Sequence, residues 1–483
     1  MSDKIQDTQV TFICHRCLIE EEMMHAELAD DLISSLGREA VLWDQEDLIC
    51  YAYDATGKSF MPQAVVFPRT VAHIAQVMRL ANAHKVCVIP RGAGSGMTGG
   101  SLPESGGIVV VLTQFDHILE IDTENLVAVV EPGVVTSQLH KAVEAQGLFY
   151  PPDPASMNFS TIGGNIAENS GGMRAVKYGT TKEYVLGLEV VLPSGEIIHT
   201  GSKCVKDVVG YNLTQLVVGS EGTLGIVTKA LLKLLPLPEA KKTLTATFPS
   251  ILDAGKTVSE IIRRKIIPTT MEFLDRHAIW CVDQYLQIGL APGAGAFMLI
   301  EVDGDSEEVE TNIRKVHAVC AANQALEIHV AATAQEQDEL WRMRRSVSAS
   351  LAHLKPEAKI NEDIVVPRAR IPELIEFIES VAGKHEVQIV NFGHAGDGNI
   401  HLNVLPQKGQ LDTAHHAVDD IFDKTIELGG RISGEHGIGT SKRDYIHKNL
   451  DPAAIEAMRA IKKAWDPNNI LNPGKIFPSD HRV

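Results

Sequence analysis

The chain has 483 residues, 44% hydrophobic and 22% charged, the composition of a globular protein with room for two or three cored domains. Its net charge of −18 excludes the basic footprint that a nucleic-acid partner requires. No apolar run reaches the ~18 residues of a membrane-crossing helix, and seven scattered cysteines exclude a disulfide scaffold and point to reduced thiols.

The first residues are polar and acidic, unlike a secretory signal, so a cytoplasmic protein is expected, at most peripheral to the inner face of the membrane. Cys14-His15-Arg16-Cys17 has zinc-like or redox-like spacing, but no second such pair completes a four-ligand site, and the stretch reads as an extension. Residues 24–57 read as a helix and then a loop. Ala64–Pro68 reads as a short strand. Thr70 is placed to cap a helix whose apolar positions Val71, Ile74, Val77, Met78 and Ala81 have helical spacing. Val86–Pro90 reads as a buried strand.

The loop Arg91–Ser101 follows. Gly94, Gly96 and Gly99 have the spacing of the dinucleotide fingerprint, but that fingerprint must open a helix. Here Pro103, Gly106 and Gly107 lead into an apolar strand, Ile108–Leu112. The glycines therefore read as a strand-to-strand loop whose exposed N–H groups could form an anion-binding nest. Strands at Ile118–Asp122 and Leu126–Glu131 and a helix near Thr136–Gln146 come next. After Pro151-Pro152-Asp153-Pro154, a polar, glycine-rich stretch from Thr161 to Thr181 reads as backbone packed against a large flat ligand. Leu188–Leu192 and Glu196–His199 form a hairpin around Pro193-Ser194-Gly195, and Gly219–Ile226 is a small-residue turn before a strand. Beyond Pro236-Leu237-Pro238, residues 240–440 alternate strands with amphipathic helices such as Val258–Arg264, Val309–Ala322 and Ile371–Ala382, the pattern of a separate α+β domain. A helix end and a Pro/Gly-locked tail close the chain.

Two polar knots stand out in this last third: His394-Ala395-Gly396-Asp397-Gly398-Asn399-Ile400-His401-Leu402-Asn403, and Gly434-Glu435-His436-Gly437-Ile438-Gly439. Two histidines and a glutamate in glycine-rich loops suit a divalent metal with one open position; the alternative is a turn with hydrogen-bonded histidines. Asp397, in Gly-Asp-Gly, is read as stabilising the turn. His436 on its own could be a ligand or a base. Lys442 and Arg443 read as solvated.

Six segments in order, Pro90–Ser101, Gly163–Gly179, Gly219–Ile226, Gly393–Asn403, Gly434–Gly439 and Asn472–Lys475, resemble the flavoproteins of the vanillyl-alcohol oxidase and p-cresol methylhydroxylase (PCMH) fold. Within it they are most similar to the FAD-linked D-2-hydroxyacid dehydrogenases: D-lactate dehydrogenase, the glycolate oxidase D subunit and D-2-hydroxyglutarate dehydrogenase. The resemblance implies an α+β protein. Residues 1–55 would be an extension and helical segment, 56–238 a two-subdomain PCMH-type FAD-binding domain, 239–440 an α+β substrate and metal domain, and 441–483 a tail returning to the FAD domain.

The resemblance further implies FAD between the two halves of the FAD-binding domain. Arg91, Gly92, Ala93, Gly94, Ser95, Gly96, Gly99 and Gly100 would surround the pyrophosphate. Pro152, Thr161, Gly164, Asn165 and Gly171 would line the flavin, with Gly222 and Ile226 near the adenosine and Asn472 returning from the C-terminus. Some relatives attach the flavin through a histidine near the glycine loop; Ala93, Gly94 and Ser95 offer none, so non-covalent FAD is expected.

By the same pattern His394, His401 and Glu435 would bind zinc, manganese or iron, and His436 would be the general base. Asn403 would hydrogen-bond substrate and Arg344 would hold its carboxylate, Arg342 and Arg345 being surface charges. The family's second cation, near Lys359 to Asp363, aligns poorly because Asn361-Glu362-Asp363 stands there. Oxidation of a D-2-hydroxy acid such as D-lactate or a glycolate-like acid is expected, electrons passing to an acceptor protein or quinone. A homodimer or hetero-oligomer is compatible, including the D-type subunit of a glycolate oxidase or an electron-transfer-flavoprotein-linked complex.

Overall fold

A computed structural model describes residues 27–289 and 293–478; Cys14 and Cys17 lie outside the described residues. A helix at 27–36 buries Leu28, Leu32 and Leu36 against the first core. Short turns and the two-residue strand Val41–Leu42 then occupy part of the segment expected to be loop.

The first sheet has four strands in the order Val41–Leu42, Ala64–Val66, Ile108–Val111, Val88–Arg91, with the last three parallel. Helix Val71–His84 covers it with Ile74, Ala75, Val77, Met78 and Ala81, and Thr70 caps that helix by accepting from His73 N. Parallel strands need their crossover helix because both faces are buried, which is why Ile108–Val111 reads as an unbroken apolar run. The C-terminal tail returns to this layer: Val88 donates to Ile470 O, and Asn472 N donates back to Val88 O.

The second sheet has five strands, ordered Ile118–Asp122, Val127–Val130, Ile226–Lys233, Val185–Val191, Ile197–Gly201, all antiparallel. The glycine-rich stretch after Thr161 differs from expectation, because part of it is helical. Ile162–Glu168 is a helix capped by the Thr161 side chain, which buries Ile162 and Ile166 against this second sheet. Gly163-Gly164 masks it in the sequence, since glycine lowers helix propensity; the Thr161 cap was the available signal.

The third sheet has seven antiparallel strands in the order Glu327–Val330, Ala240–Phe248, Ala296–Gly304, Thr270–Asp275, Gln388–His394, Asn399–Leu405, Ile360–Val365. Alternation along each strand sorts its two faces. Met271, Phe273, Ile364, Ile400, Leu402 and Val404 point into the main core, shared with helices Ile251–Arg263, Ser306–Ala322, Ile371–His385 and Leu411–Glu427. The other face carries Glu272 opposite His394, Phe392 opposite His401, Asp363 opposite His401 and Asn361 opposite Asn403. Register alone therefore gathers the polar residues of the last third onto one face.

Candidate active site

His394 ends one strand and His401 lies on the next, joined by the tight turn Ala395–Gly398. Their Nε2 atoms are 3.2 Å apart, and Glu435 Oε1 lies 3.6 Å from one and 3.5 Å from the other. A tetrahedral metal with bonds of about 2.1 Å holds its ligand atoms about 3.4 Å apart. The three donor atoms thus already have the spacing of a metal's ligands, and the His₂Glu set suits zinc, manganese or iron. Two imidazole Nε2 atoms facing each other also repel unless a cation or proton lies between them. Burial pushes His401 down to about 3, with His394 adding to the effect. Burial pushes the Glu435 carboxyl up, but the hydrogen bond and charge of His394, with His401 and His436, outweigh it and bring it down to about 2. Both groups thus favour the deprotonated form that ligands need. On His394 burial opposes the charge, but Glu272 and Glu435 outweigh it and hold a proton there, well above the usual imidazole range, which a metal would have to displace.

Glu272, fully buried, supports this set from the adjacent strand. Its Oε1 accepts from His394 Nδ1 at 2.7 Å, leaving His394 Nε2 for the metal, the usual carboxylate–histidine arrangement. Its Oε2 is gripped by Arg344 Nε at 2.8 Å and Nη2 at 2.5 Å. Arg344 is itself buried and lies over the Phe392 ring at 5.0 Å. Asn403 is also buried: its Oδ1 accepts from Asn361 Nδ2 at 2.8 Å, and its Nδ2 donates to Val390 O and His401 O at 3.3 and 3.2 Å.

The turn bearing Glu435 and His436 is held from two sides. Asp363 Oδ2 accepts from the backbone nitrogens of Gly434, Glu435 and His436 at 2.9, 2.8 and 2.8 Å. Glu221, just ahead of the second sheet's strand Ile226–Lys233, accepts from Ile438 N and Gly439 N, each at 2.7 Å. Burial opposes ionisation of Asp363, yet His436, Lys442 and its backbone donors hold its carboxyl well below the usual range. The His436 ring lies parallel to His401, with centroids 5.4 Å apart and planes 16° apart. Its Nδ1 is 3.9 Å from Asp363 Oδ2 and its Nε2 3.8 Å from Glu435 Oε1. Lys442 corrects the sequence reading: it is 2% exposed rather than solvated, donating to Ile432 O at 2.9 Å beneath the turn. Arg443 pairs with Glu104 at 2.6 Å. Asp397 accepts from Asn399 N, a turn contact.

A cleft enclosing about 1330 Å³, its open mouth included, runs between the first two sheets, and Glu435 and His436 are among its lining residues. Arg91, Gly92, Ala93, Gly94, Ser95, Gly96, Gly100, Thr161, Gly164, Asn165, Gly171, Gly222 and Ile226 line it. Gly99, Pro152 and Asn472 do not; they buttress the wall. An alanine at Gly99 would strike Thr440, Pro152 O accepts from His140, and Asn472 Nδ2 donates to Gly100 O and Glu221 O. Among the described residues, no backbone N–H from Gly92 to Ser101 has a protein acceptor. Such a run of free donors fits a pyrophosphate. A Cβ on Gly92 would collide with Thr161, so only glycine lets loop and helix meet there. Arg91 braces the loop through Tyr53 O at 2.8 Å. Glu272, Asp363, Glu168 and Glu221 escaped sequence reasoning. The signal for the first two was an acid set among apolar strand residues, Met271-Glu272-Phe273-Leu274 and Asp363-Ile364-Val365.

Residues 62–201 match the FAD binding domain family, and residues 237–476 match FAD linked oxidases, C-terminal domain. The chain is 47% identical to glycolate oxidase subunit GlcD of Bacillus subtilis over 464 residues, covering 95% of this chain and 98% of that protein. It is 36% identical to D-lactate dehydrogenase of Anaerostipes hadrus, covering 86% and 89% of the two chains. It is 34% identical to D-2-hydroxyglutarate dehydrogenase of Stutzerimonas stutzeri, covering 94% and 100%. Substrate-bound p-cresol methylhydroxylase superposes with a TM-score of 0.79 at 19% identity, covering 96% of this chain and 98% of that one, so the two share the PCMH-type fold. Among the described residues no helix is long and apolar enough to cross a membrane.

Proposed function

The chain belongs to the FAD-linked oxidoreductases of 2-hydroxy acids, the family of the glycolate oxidase D subunit and D-lactate dehydrogenase, and from that premise we propose a metal-assisted oxidation of a D-2-hydroxy acid, D-lactate or a glycolate-like acid, to the 2-oxo acid. The observation that carries this reading is that Glu435 and His436 line the same cleft as the glycine loop. Non-covalent FAD would take hydride from the α-carbon, and zinc, manganese or iron on His394, His401 and Glu435 would lower the pKa of the substrate hydroxyl, as metals lower that of water from about 16 to about 7.

His436 accepts the hydroxyl proton. The residue lines the cleft, its main chain is pinned by Asp363 and its ring stacks on His401, so the imidazole is presented with little freedom. Arg344, its fork fixed by Glu272, is assigned the substrate carboxylate, since a preset guanidinium loses little entropy on binding. Lys359, just ahead of the strand Ile360–Val365, is a second cation near this row in sequence; its Nζ donates to Ser348 Oγ at 2.8 Å. Asn403 can reach substrate only if its Nδ2 leaves Val390 O or His401 O, both long contacts.

Electrons then leave to an acceptor protein or quinone. The relatives named as subunits favour a second reading, a D-type subunit inside a cytoplasmic or membrane-peripheral complex. Anaerobic mixing with D-lactate, L-lactate, glycolate, D-2-hydroxyglutarate and D-malate tests the chemistry. Bleaching of the yellow flavin by a D-acid or glycolate is expected, and bleaching by L-lactate alone would refute the stereochemistry. Chelation should stop bleaching while FAD stays bound; unchanged turnover would remove the metal.

A further inference from the structure

The cleft holds one acid that the reaction above does not use. Glu168, at the end of helix Ile162–Glu168, lines the cleft beside the glycine loop. Its Oε1 lies where a Cβ on Gly100 would approach to 2.9 Å and one on Gly96 to 4.0 Å. Its Oε2 is buried and has no hydrogen-bond partner. A Cβ on Gly437 would strike that Oε2 and come within 3.1 Å of Glu221 Oε1, so both carboxyl groups rest on the same glycine.

The two acids are not equivalent. Glu221 receives two backbone N–H donors at 2.7 Å, which stabilise its charge. Glu168 receives none. The charged groups facing Glu168 from the surrounding elements are both acids, Glu221 and Asp54. The turn at 434–439 presents glycine to it, and Arg91 on the loop is committed to Tyr53 O and Ser101. Lys442 and Lys475 face Glu221 instead, and are occupied by Ile432 O and Leu102 O. Two carboxyl groups this close cannot both ionise, and the one without donors keeps the proton. Burial and the charge of Glu221 accordingly push Glu168 well above the usual carboxyl range.

We propose that Glu168 is a protonated carboxylic acid on the cleft wall that donates a hydrogen bond to bound FAD, and so binds the cofactor as a neutral donor rather than as an anion. The inference rests on the cleft being the FAD site. A neutral donor also suits a cofactor that gains negative charge on reduction, which an ionised carboxylate beside it would resist.

Glu168→Gln keeps the shape and a donor but cannot ionise; Glu168→Ala has neither. FAD affinity of reconstituted apoprotein and the flavin midpoint potential are measured for the wild type and both variants, with thermal unfolding of the apoproteins as the folding control. Glu168→Gln should hold FAD within about twofold of wild type and keep its potential, while Glu168→Ala should weaken FAD by at least about tenfold, the effect of one buried hydrogen bond. Loss of FAD in Glu168→Gln equal to that in Glu168→Ala would overturn the neutral-donor assignment, and wild-type affinity in Glu168→Ala would show no contact. If the variants do not fold, infrared difference spectra of the wild type on flavin photoreduction decide. A protonated-carboxyl band that shifts supports the proposal, and its absence overturns it. A wild type that purifies without flavin would instead defeat the FAD assignment itself.

Discussion

Asp363 Oδ2 lies 2.8 Å from the backbone nitrogen of Glu435. A strand residue of the third sheet thereby fixes the main chain of a metal-ligand candidate, while its Cα partner across the ladder is His401, a second ligand candidate. Glu221 holds the far end of the same turn from the FAD-binding side. The turn bearing Glu435 and His436 is thus clamped between two carboxylates.

Asp363→Asn should loosen that clamp. An amide nitrogen in place of Oδ2 cannot accept the three backbone donors, and leaving buried donors unpaired costs about 1–3 kcal/mol each, only partly relieved by rotation of the amide. Stability in urea should fall by about 2–4 kcal/mol and metal affinity by about 10–100-fold. The sign with pH is fixed: the folded carboxyl is held well below 3.8, so its contribution is full above that unfolded value and disappears as pH falls below it. The variant should therefore differ most from wild type near neutrality; a constant difference down to strong acid would contradict the charged clamp.

Glu272→Gln acts one hydrogen bond away from the ligand candidate His394. The amide can present its nitrogen to His394 Nδ1 and so select the wrong tautomer, and it no longer pairs with the Arg344 charge. Metal affinity should fall about 10–100-fold with FAD still bound. Titration of zinc into the chelated protein measures the first, the visible spectrum the second; unaltered zinc affinity would show that Glu272 serves only Arg344.

His436→Ala should reduce substrate-driven flavin reduction by about 10²–10⁴-fold, the usual contribution of a general base. Its ring stacks on His401 and approaches Asp363 and Glu435 only at 3.9 and 3.8 Å, and the hydrogen bond to Asp363 is made by the main chain. FAD content and zinc affinity should therefore stay near wild type. Stopped-flow bleaching at saturating substrate separates this from a binding defect, and a rate within about threefold of wild type would assign the proton to another group.

These roles were unevenly legible in the sequence. The ligand candidates stood out because histidine and glutamate are rare among glycines, and the glycine loop because a strand follows it where a dinucleotide fold needs a helix. The strands of the third sheet were legible only as a texture, since register is a tertiary property. Without knowing that Glu272 faces His394 and Asp363 faces His401, their buried charges look like interruptions of apolar strands. Lys442 failed for the same reason: a lysine beside an arginine reads as surface until the carbonyls of Asp363 and Ile432 close around it. Helix Ile162–Glu168 was hidden by two glycines, of which Gly163 sits where a Cβ would strike Pro132.

His140 gives an acid limb independent of the metal. It is 7% exposed and its Nε2 contacts Pro152 O at 2.9 Å. Burial, with Arg174 adding to it, pushes its pKa from 6.5 down to about 4. The unfolded chain therefore binds this proton first: stability is complete above about 6.5 and declines as pH falls towards about 4, by up to about 3 kcal/mol. His140→Gln keeps a donor for Pro152 and cannot protonate, so its urea midpoint should change less than that of wild type between pH 7 and pH 4.5. Parallel curves would show that other groups set the limb.

Gly171→Ala tests the contact between the flavin wall and the metal set. The added Cβ would lie 2.8 Å from Glu435 Oε2 and 3.3 Å from Glu435 Cβ. Gly171 is not among the residues with positive φ, so alanine is tolerated by the backbone and the effect is confined to the displaced carboxylate. Overpacking of this kind costs about 1–3 kcal/mol, which the fold can absorb, whereas a ligand atom moved by a few tenths of an ångström loses the spacing that lets three donors share one ion. Zinc affinity and flavin reduction should each fall by at least about tenfold while the protein still binds FAD. Glu435→Asp shortens the ligand by one methylene and relieves the clash, so the double variant should lose less than the sum of the two single losses, with a coupling of about 0.5–3 kcal/mol. Strict additivity in zinc affinity would mean that Gly171 and Glu435 do not touch in the working enzyme.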